Sequence, residues 1–576
     1  MPIEAQRPIN ITFVATSLEP PTKGQGRALG PETLASYLKK TTENLNMTMV
    51  DLQLEKNPDA TIYALEQNPD IDILALSVRY GTFSQFKRIL ESLNNSDRVN
   101  SGQLHVIVGN VMPSFLAEKL VTEYPWLVVG KGEGELTLQK YLEAIQDHQN
   151  LENVPGITFF NKETQQIITN KGEYLPKSIT SSPNLAFPEY IKNILDKEGV
   201  IWVSSSSGCP WDCTFCSVAT YRKFTGIDKK SRWEPRPMQD VLGELQELYT
   251  LGAKKFVFAD DEMLVGIPAV SNFDRWNEIA DGIQKIGPDI KYQVSVRSDM
   301  IWNLHDTPEI RIARETALTN LIKSGLSQVY IGFESGSNTQ LKRYQKGESV
   351  ESHQKAIETL RKLALESNTE VIIGGGFIMF DSLMTFSEII ENINFIRDSK
   401  LVSHGSKDFI GDVFDMIRVQ EGSRYKQILK EKGLLGNPIP DTLFYNYKFQ
   451  DSKVEQVALT CIKSAAELDD FFEALKYTVF AQALEEQQLG HDLPEARILN
   501  WYLIELRLND LQLLENLSTY HNNATIESRD QEPQIISNFR ISRNKLLSKL
   551  RDDLLNQVIK DQTIQTLLLE HLKKII

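Results

Sequence analysis

Apolar residues recur over the first 145 positions in short continuous runs, separated by stretches with helical spacing. Ile9–Ala15, Met47–Leu52, Ile71–Val78, Leu104–Val108 and Trp126–Val129 read as strands. Pro31–Lys40, Phe83–Leu93, Pro113–Glu123 and Leu136–Ile145 read as helices. Strands that are apolar throughout and alternate with helices predict an α/β domain, a doubly wound parallel sheet covered on both faces. Ligands of such sheets lie outside the carboxyl ends of the strands. Here those ends are Ser77-Val78-Arg79-Tyr80, Gly109-Asn110-Val111-Met112-Pro113 and Gly130-Lys131-Gly132-Glu133-Gly134-Glu135. Their glycines let the backbone approach a large flat ligand.

Residues 146–198 read as a connector, with a hairpin in VPGITFFNKETQQIITNKGEYL and a turn-rich PNLAFPEY. The β/α rhythm returns over 199–451. Ile201–Val203, Lys255–Phe258, Tyr292–Val296, Gln328–Phe333 and Val371–Met379 read as strands, with a helix at Met238–Leu251. Several of these strands end in polar residues: Asp260-Asp261-Glu262, Arg297-Ser298-Asp299 and Glu334-Ser335. Polar groups at successive parallel strand ends mark Asp261, Glu262, Glu334 and Ser335 as active-site candidates, although Asp and Ser also cap helices. Arg297 is a candidate for gripping a carboxylate in a bidentate bond, or a solvated surface arginine. Tyr445 and Tyr447 line a substrate pocket or simply pack in a half-buried strand. From 452 to 576 the pattern is helical, over Val454–Phe472, Phe480–Leu489, Glu495–His521 and Ile535–Ile576, with a polar loop at Asn522–Gln534.

At 576 residues the chain exceeds one core and calls for several domains. The net charge of −15 argues against a broad footprint on nucleic acid or anionic membrane. The N-terminus has no signal-peptide pattern and no run of apolar residues is long enough to span a membrane. Four cysteines in a chain this long are not a disulfide scaffold, and a reducing cytoplasm fits them.

Three of the four, Cys209, Cys213 and Cys216, stand as C-x3-C-x2-C within SSSSGCPWDCTFCSVATYRKF. Thiolates so close together need a metal centre to share their charge, and iron–sulfur clusters are held this way. Three ligands for four irons leave one iron open. A zinc knot, lacking its fourth ligand in this loop, and a chance group of buried thiols are the alternatives. Cys461, on the first C-terminal helix, reads as a buried structural thiol, with a hydrogen donor or auxiliary ligand as the other reading.

This motif, with Phe215 just before the third cysteine, resembles the radical S-adenosylmethionine superfamily signature. The resemblance implies a 4Fe-4S cluster whose open iron holds S-adenosylmethionine, a partial barrel of about six β/α units, and an electron donor such as flavodoxin or ferredoxin. ADDEML resembles the second-strand element near the cofactor's amine, and IGFESGSNTQLKRYQKG the fourth-strand element near its ribose, so Phe215, Asp261, Glu262, Arg297, Glu334 and Ser335 are expected at the S-adenosylmethionine site. Where relatives have G-x-P-x-E-T this chain reads FIMFDSLMTF, with Asp381 and Thr385 in the corresponding place. RVQEGSRYKQILKEKGLL, from Arg418, resembles the closing strand and helix of the core.

The first 145 residues resemble the cobalamin-binding, Rossmann-like domain that precedes many such enzymes, IVGNVMPS and WLVVGKGEGELTLQKYL being the nearest matches. That assigns Ser77, Val78, Arg79, Tyr80, Gly109, Asn110, Pro113, Gly130, Gly132 and Glu133 to cobalamin, with Arg79 and Tyr80 at its lower face. No D-x-H-x-x-G motif is present, and His105 sits inside a strand, so the cobalt would carry no protein histidine. The expected activity is methyl transfer to a carbon of a small molecule or peptide. The alternatives are radical modification of a peptide or natural-product precursor without methyl transfer, the first domain being vestigial or a docking module, and a non-catalytic iron–sulfur protein.

Overall fold

The computed structural model describes residues 7–17, 26–79, 81–147, 149–196, 201–227, 233–265, 273–489, 493–523 and 531–575. The first sheet contains β1 (Ile9–Ala15), β2 (Leu45–Asp51), β3 (Ile73–Ser77), β4 (His105–Gly109), β5 (Val128–Gly130), β6 (Ile157–Asn161) and β7 (Gln166–Thr169), in the order β2-β1-β3-β4-β5-β6-β7. The first five are parallel. Alternation along each strand feeds two cores: Ile11, Phe13, Ile73 and Ala75 meet the helices Leu29–Thr41 and Glu135–Gln146, while Val14, Leu74 and Leu76 meet Phe83–Asn94 and Val111–Glu123. The strand order reverses direction at β1/β3, the place where doubly wound sheets open a ligand crevice. The hairpin in the predicted connector is β6 and β7, which extend this sheet antiparallel to β5.

The second sheet uses β8 (Ile201–Val203), then β11 (Lys255–Phe258), β12 (Lys291–Val296), β13 (Leu326–Glu334), β14 (Ile372–Phe377) and β15 (Phe409–Ile410), six parallel neighbours. Between β8 and β11 lies a short antiparallel pair, β9 (Ser206–Gly208) and β10 (Trp233–Pro235). Phe256, Phe258, Val294, Ile331 and Phe333 point outward into a core shared with the surrounding helices. Their alternates, among them Trp202, Ala259, Asp261, Ser295, Tyr330 and Gly332, face the concave side. The sequence set the closing strand from Arg418 onward. The closing parallel strand is instead β15, two residues long and too short to carry a pattern. β16 (Val419–Gln420) turns away into an antiparallel sheet with β17 (Leu435–Pro438) and β18 (Phe444–Tyr447).

The C-terminal helices Asp469–Leu489, Pro494–Asn523, Gln531–Leu555 and Gln562–Leu572 share a core of Phe471, Leu475, Leu499, Tyr502, Leu547 and Leu550. The loop predicted at Asn522–Gln534 is shorter on both sides, because helices run to Asn523 and from Gln531; 524–530 lie outside the described residues. The helix Ser452–Ala465 carries Cys461, fully buried near Asp510. Burial pushes the Asp510 carboxyl up to about 7, against the pull of Arg507 and Arg543. The folded state therefore holds this proton more tightly than the unfolded chain, so its contribution to stability is complete below about pH 4 and is lost as pH rises through 7. We expect the melting temperature of Asp510→Asn to fall less than that of the wild type between pH 5 and 8. Parallel curves for the two would show that Asp510 does not titrate in that window.

Candidate active site

The cysteine loop follows β8 and β9 at the carboxyl edge of the barrel. Asp260 ties this edge together, its carboxylate accepting the Ser205 N–H at 3.0 Å, the Ser205 hydroxyl at 2.9 Å and the Ser206 hydroxyl at 2.5 Å. Gly208, at φ +78°, turns the chain into Cys209. The Thr214 N–H donates to the Tyr344 carbonyl at 2.8 Å, and the Thr214 carbonyl accepts the Tyr425 N–H at 2.7 Å. Phe215 sets its ring edge-on to Tyr344, with centroids 5.3 Å apart. The Ser217 hydroxyl donates to Gln420 Oε1 at 2.8 Å. The loop is thus pinned at both ends before any ligand is considered.

The three thiols are half-buried. Burial pushes Cys209 and Cys216 up to about 12, and also raises Cys213, which Lys346 and Arg297 draw back. Such thiols ionise when a metal takes the place of the proton. Among the described residues no three His, Cys, Asp or Glu side chains converge on one point, as a single zinc ion requires. A four-iron cluster spreads its thiolates over its own width, so three thiols from one pinned loop fit it. Cys461 lies away from them, in the C-terminal helices.

Behind the loop lies a charged group that the sequence reading captured in part. Arg297 is 6 % exposed and its guanidinium bonds Asp299 twice at 3.0 Å, so the carboxylate predicted for it comes from the chain itself. It also donates to the Lys346 carbonyl at 2.5 Å, lies 4.5 Å from the Trp211 ring and comes 3.8 Å from Cys213 Sγ. Lys346 Nζ sits 2.9 Å from Glu348 and 4.0 Å from Glu334. Glu334 takes φ +65° where the β13–β14 register slips, and a Cβ on Gly332 would come within 2.7 Å of its Oε1. A glutamate in the left-handed region is strained, and such strain collects at functional sites. Burial pushes its carboxyl up.

Glu262 is 1 % exposed and its carboxylate accepts the Arg297 N–H at 2.8 Å and the Leu264 N–H at 3.2 Å. Burial pushes it up to about 8. It joins the ends of β11 and β12. Asp261 opens onto a polar cavity of about 220 Å³ that Ser206, Ser207, Gly208, Arg27 and Arg236 also line, and its surroundings push it up to about 6. Ser335 is fully buried, with its hydroxyl 2.6 Å from Gln340 Oε1 and 2.9 Å from Asn392 Oδ1 while accepting the Ser337 N–H, the geometry of a held turn. Asp381 is likewise buried, accepting from Tyr344 at 2.8 Å, Tyr425 at 2.9 Å and Arg343 at 2.8 Å. Thr385 caps the helix Phe386–Asp398 in a capping box with Glu388. Tyr445 donates its hydroxyl to Glu421 at 2.5 Å, and Tyr447 packs beside Phe449.

The carboxyl ends of β3, β4 and β5 stand side by side in the first sheet. Gly109 and Gly130 end neighbouring strands, and a Cβ on either would make only ordinary contacts: with the Gly130 carbonyl at 3.7 Å from Gly109, and with Thr137 at 3.7 Å and the Val108 carbonyl at 3.8 Å from Gly130. Asn110, at φ +91°, caps the next helix through the Val111 N–H at 2.7 Å and reaches Ser77 Oγ at 3.3 Å. Val78 and Pro113 are buried, the former in the first-domain core. Arg79 pairs with Asp51 at 2.5 Å, and Asp51 also accepts the Tyr190 hydroxyl at 2.7 Å. Tyr80 lies outside the described residues. His105 occupies the far end of β4 from Gly109, about 13 Å away along an extended strand.

Gly132 and Glu133 instead contact the barrel. The Gly132 carbonyl accepts the Tyr221 hydroxyl at 2.8 Å, and a Cβ there would strike Thr225 at 2.5 Å. Glu133 accepts from Ser207 at 2.5 Å and from Arg222, with Lys177 at 3.4 Å. Arg222, only six residues after the third cysteine, belongs to this contact, as does Lys177, while Arg27 pairs with Glu32 and Glu244 nearby. Trp211, Lys346 and Glu348 also escaped the sequence reading, although Lys346 lies inside the quoted fourth-strand motif. Trp202 and Tyr330 escaped it too. They are 39 % and 38 % exposed on the concave face, and the one sign of this was their alternation with buried neighbours.

Residues 203–394 match the model of the Radical SAM superfamily. The 4'-phospho-dehydrooxetanocin synthase of Priestia megaterium is 30% identical over 380 residues, 64% of this chain and 48% of that protein, so the chain spans about half the length of this curated relative. The solved structure of the cobalamin-dependent S-adenosylmethionine radical enzyme OxsB with aqua-cobalamin bound superposes with a TM-score of 0.82 at 22% identity, covering 99% of this chain and 84% of that one. The radical S-adenosylmethionine methyltransferase TsrM of Kitasatospora setae, with tryptophan substrate and a cofactor analogue, superposes with a TM-score of 0.56 at 13% identity over 74% and 77% of the two chains.

Proposed function

We propose that this chain, whose residues 203–394 form a radical SAM domain, is an enzyme that holds S-adenosylmethionine and cobalamin together and transfers a methyl group to a substrate carbon. The observation that carries the reading is the contact of the first sheet's glycine-rich strand end, through Gly132 and Glu133, with Ser207, Tyr221 and Arg222 on either side of the cysteine loop. When bound, the cluster with S-adenosylmethionine would supply an organic radical, and cobalamin a transferable methyl group.

The chain's own residues then have distinct tasks. Cys209, Cys213 and Cys216 hold the cluster. Arg297 and Lys346 bring positive charge to it, and the Trp211 ring covers Arg297 on its open face. Asp261 and Glu334 are the carboxylates left to meet a polar cofactor or substrate, since Glu262 and Ser335 are engaged in holding strand ends and a turn. Ser77, Gly109, Asn110 and Gly130 form the ledge for a corrin, which His105 at the far end of β4 does not reach. Trp202 and Tyr330 line the barrel's concave side, where a small-molecule or peptide substrate would sit. An electron donor such as flavodoxin or ferredoxin completes the set.

Gly132 and Glu133 favour a second reading, since they fasten the first domain to the barrel as a docking module would. One experiment separates the two. Anaerobically reconstituted protein supplied with hydroxocobalamin is expected to retain about one cobalt per chain, and the electron paramagnetic resonance spectrum of its cob(II)alamin form should show no protein nitrogen on cobalt. Label from methyl-labelled S-adenosylmethionine should reach a product carbon. Failure to retain cobalamin leaves the docking reading; nitrogen coupling from the protein rejects the ledge as drawn. Among the described residues no helix is long and apolar enough to cross a membrane.

A further inference from the structure

The barrel has a second opening, at the amino ends of its strands, and the C-terminal helices cover it. Between them lies a cavity of about 230 Å³, walled by Ile372, Val402, Phe409, Ile410, Leu503 and Ile504, with Gln293 and Gln328 from the strands. Gln328 is 4 % exposed, and its side-chain carbonyl oxygen has no hydrogen-bond partner. A buried amide oxygen left unpaired is rare and costly. The rings of Phe409 and Tyr330 lie against Gly374, within 2.7 and 3.0 Å of where a Cβ would stand. Gln328 sits two residues below Tyr330 on the same strand face, about 7 Å from it.

We propose that this cavity is a binding site for a small, neutral, mainly apolar molecule carrying one N–H or O–H donor, which Gln328 accepts. Neutrality follows from the charged groups of the wall, which are already paired: Lys407 with Glu370 at 2.7 Å and Glu486 at 2.8 Å, Arg507 with Asp412 at 2.8 Å, Lys476 with Glu473, and Asp408 with Arg361 at 2.7 Å. The Asn500 amide donates to the Ser406 carbonyl at 3.0 Å, and among the described residues none is bonded to the Gln328 side-chain oxygen. Most of the wall's surface is apolar, which disfavours water alone. A buried water wants two to four polar partners, whereas apolar cavities of about 150 Å³ stay dry and take up a benzene ring. This one has room for a bicyclic ring. Tyr477, 52 % exposed, stands at its rim.

The probe is indole, compared with 1-methylindole, titrated into the full-length holoprotein by saturation-transfer NMR. Indole is expected to bind about tenfold more tightly than 1-methylindole, the effect of one buried hydrogen bond. Gln328→Leu should bring the two within about twofold, by loss of that bond. Leu503→Trp, which fills the cavity, should abolish binding of both. Equal affinity of the two ligands for the wild type, no binding of indole at millimolar concentration, or unchanged binding in Leu503→Trp would each overturn the proposal. The wild-type comparison decides it even if a variant fails to fold.

Discussion

Cys213→Ala is expected to lower the iron of reconstituted protein from about four atoms per chain to near zero, and to abolish reductive cleavage of S-adenosylmethionine. The loop contributes three thiolates and the described residues contribute no fourth nearby, so losing one leaves two ligands for a four-iron centre. The structure makes the test clean. Thr214 and Phe215 are pinned by Tyr344 and Tyr425 whether or not the thiol is present, so the loop should keep its path. Cys461→Ala should keep both cluster and cleavage, because that thiol lies among the C-terminal helices. A Cys213→Ala protein that retains four irons per chain by metal analysis, with normal cleavage, would remove the cysteine assignment.

Arg27→Met is expected to destabilise the protein by about 3–5 kcal/mol, as removal of one partner from a buried ion pair does. Arg27 reaches from the first domain to Glu244 on the barrel at 2.5 Å and to Glu32 at 2.7 Å, with its side chain 4 % exposed. Arg236, 2.7 Å from Glu244, would still hold that carboxylate, while Glu32 would keep only the Phe187 N–H at 2.8 Å. Urea unfolding followed by a barrel-specific and a first-domain-specific fluorophore measures the loss. The Arg27→Met/Glu32→Gln double variant should recover part of it. A loss below about 1 kcal/mol, the scale of an exposed pair, would show that water reaches this cluster.

Local chemistry was legible where one stretch of sequence carried it whole. The cysteine spacing needs no partner from elsewhere, and Ile9–Ala15 and Ile201–Val203 are strands with the bounds their apolar runs imply. The helix Pro58–Gln67 went unread because PDATIYALEQ has only a weak apolar face. Its signal lay at its start, in Asn57 capping the Ala60 N–H and in Pro58 at the first turn. Long-range pairing was not legible. Nothing near Glu133 announces Arg222, and nothing near Arg27 announces Glu244, 217 residues on. A glycine-rich loop that reads as a ligand cradle therefore divides in space: Gly130 would tolerate a Cβ at ordinary contact distances, and Gly132 presses on Thr225. Strand-end residues divide likewise. Asp261 opens to a cavity, whereas Ser335 spends its hydroxyl on Gln340 and Asn392. Sequence position shows that such residues reach one rim, and only their partners show which remain available.

The first sheet draws all seven of its strands from residues 9–169, and Cys209, the first of the three cysteines proposed to hold the cluster, comes forty residues later. Chains are made from the amino end, and domains generally fold as units in that order. On the ribosome all seven strands are therefore made before the first of these cysteines. Glu133 and Gly132 likewise precede Arg222 and Tyr221, their partners directly behind the third cysteine. The proposed cluster loop is thus made after the sheet it leans on, and the order of the gene sets the order in which the two surfaces can meet.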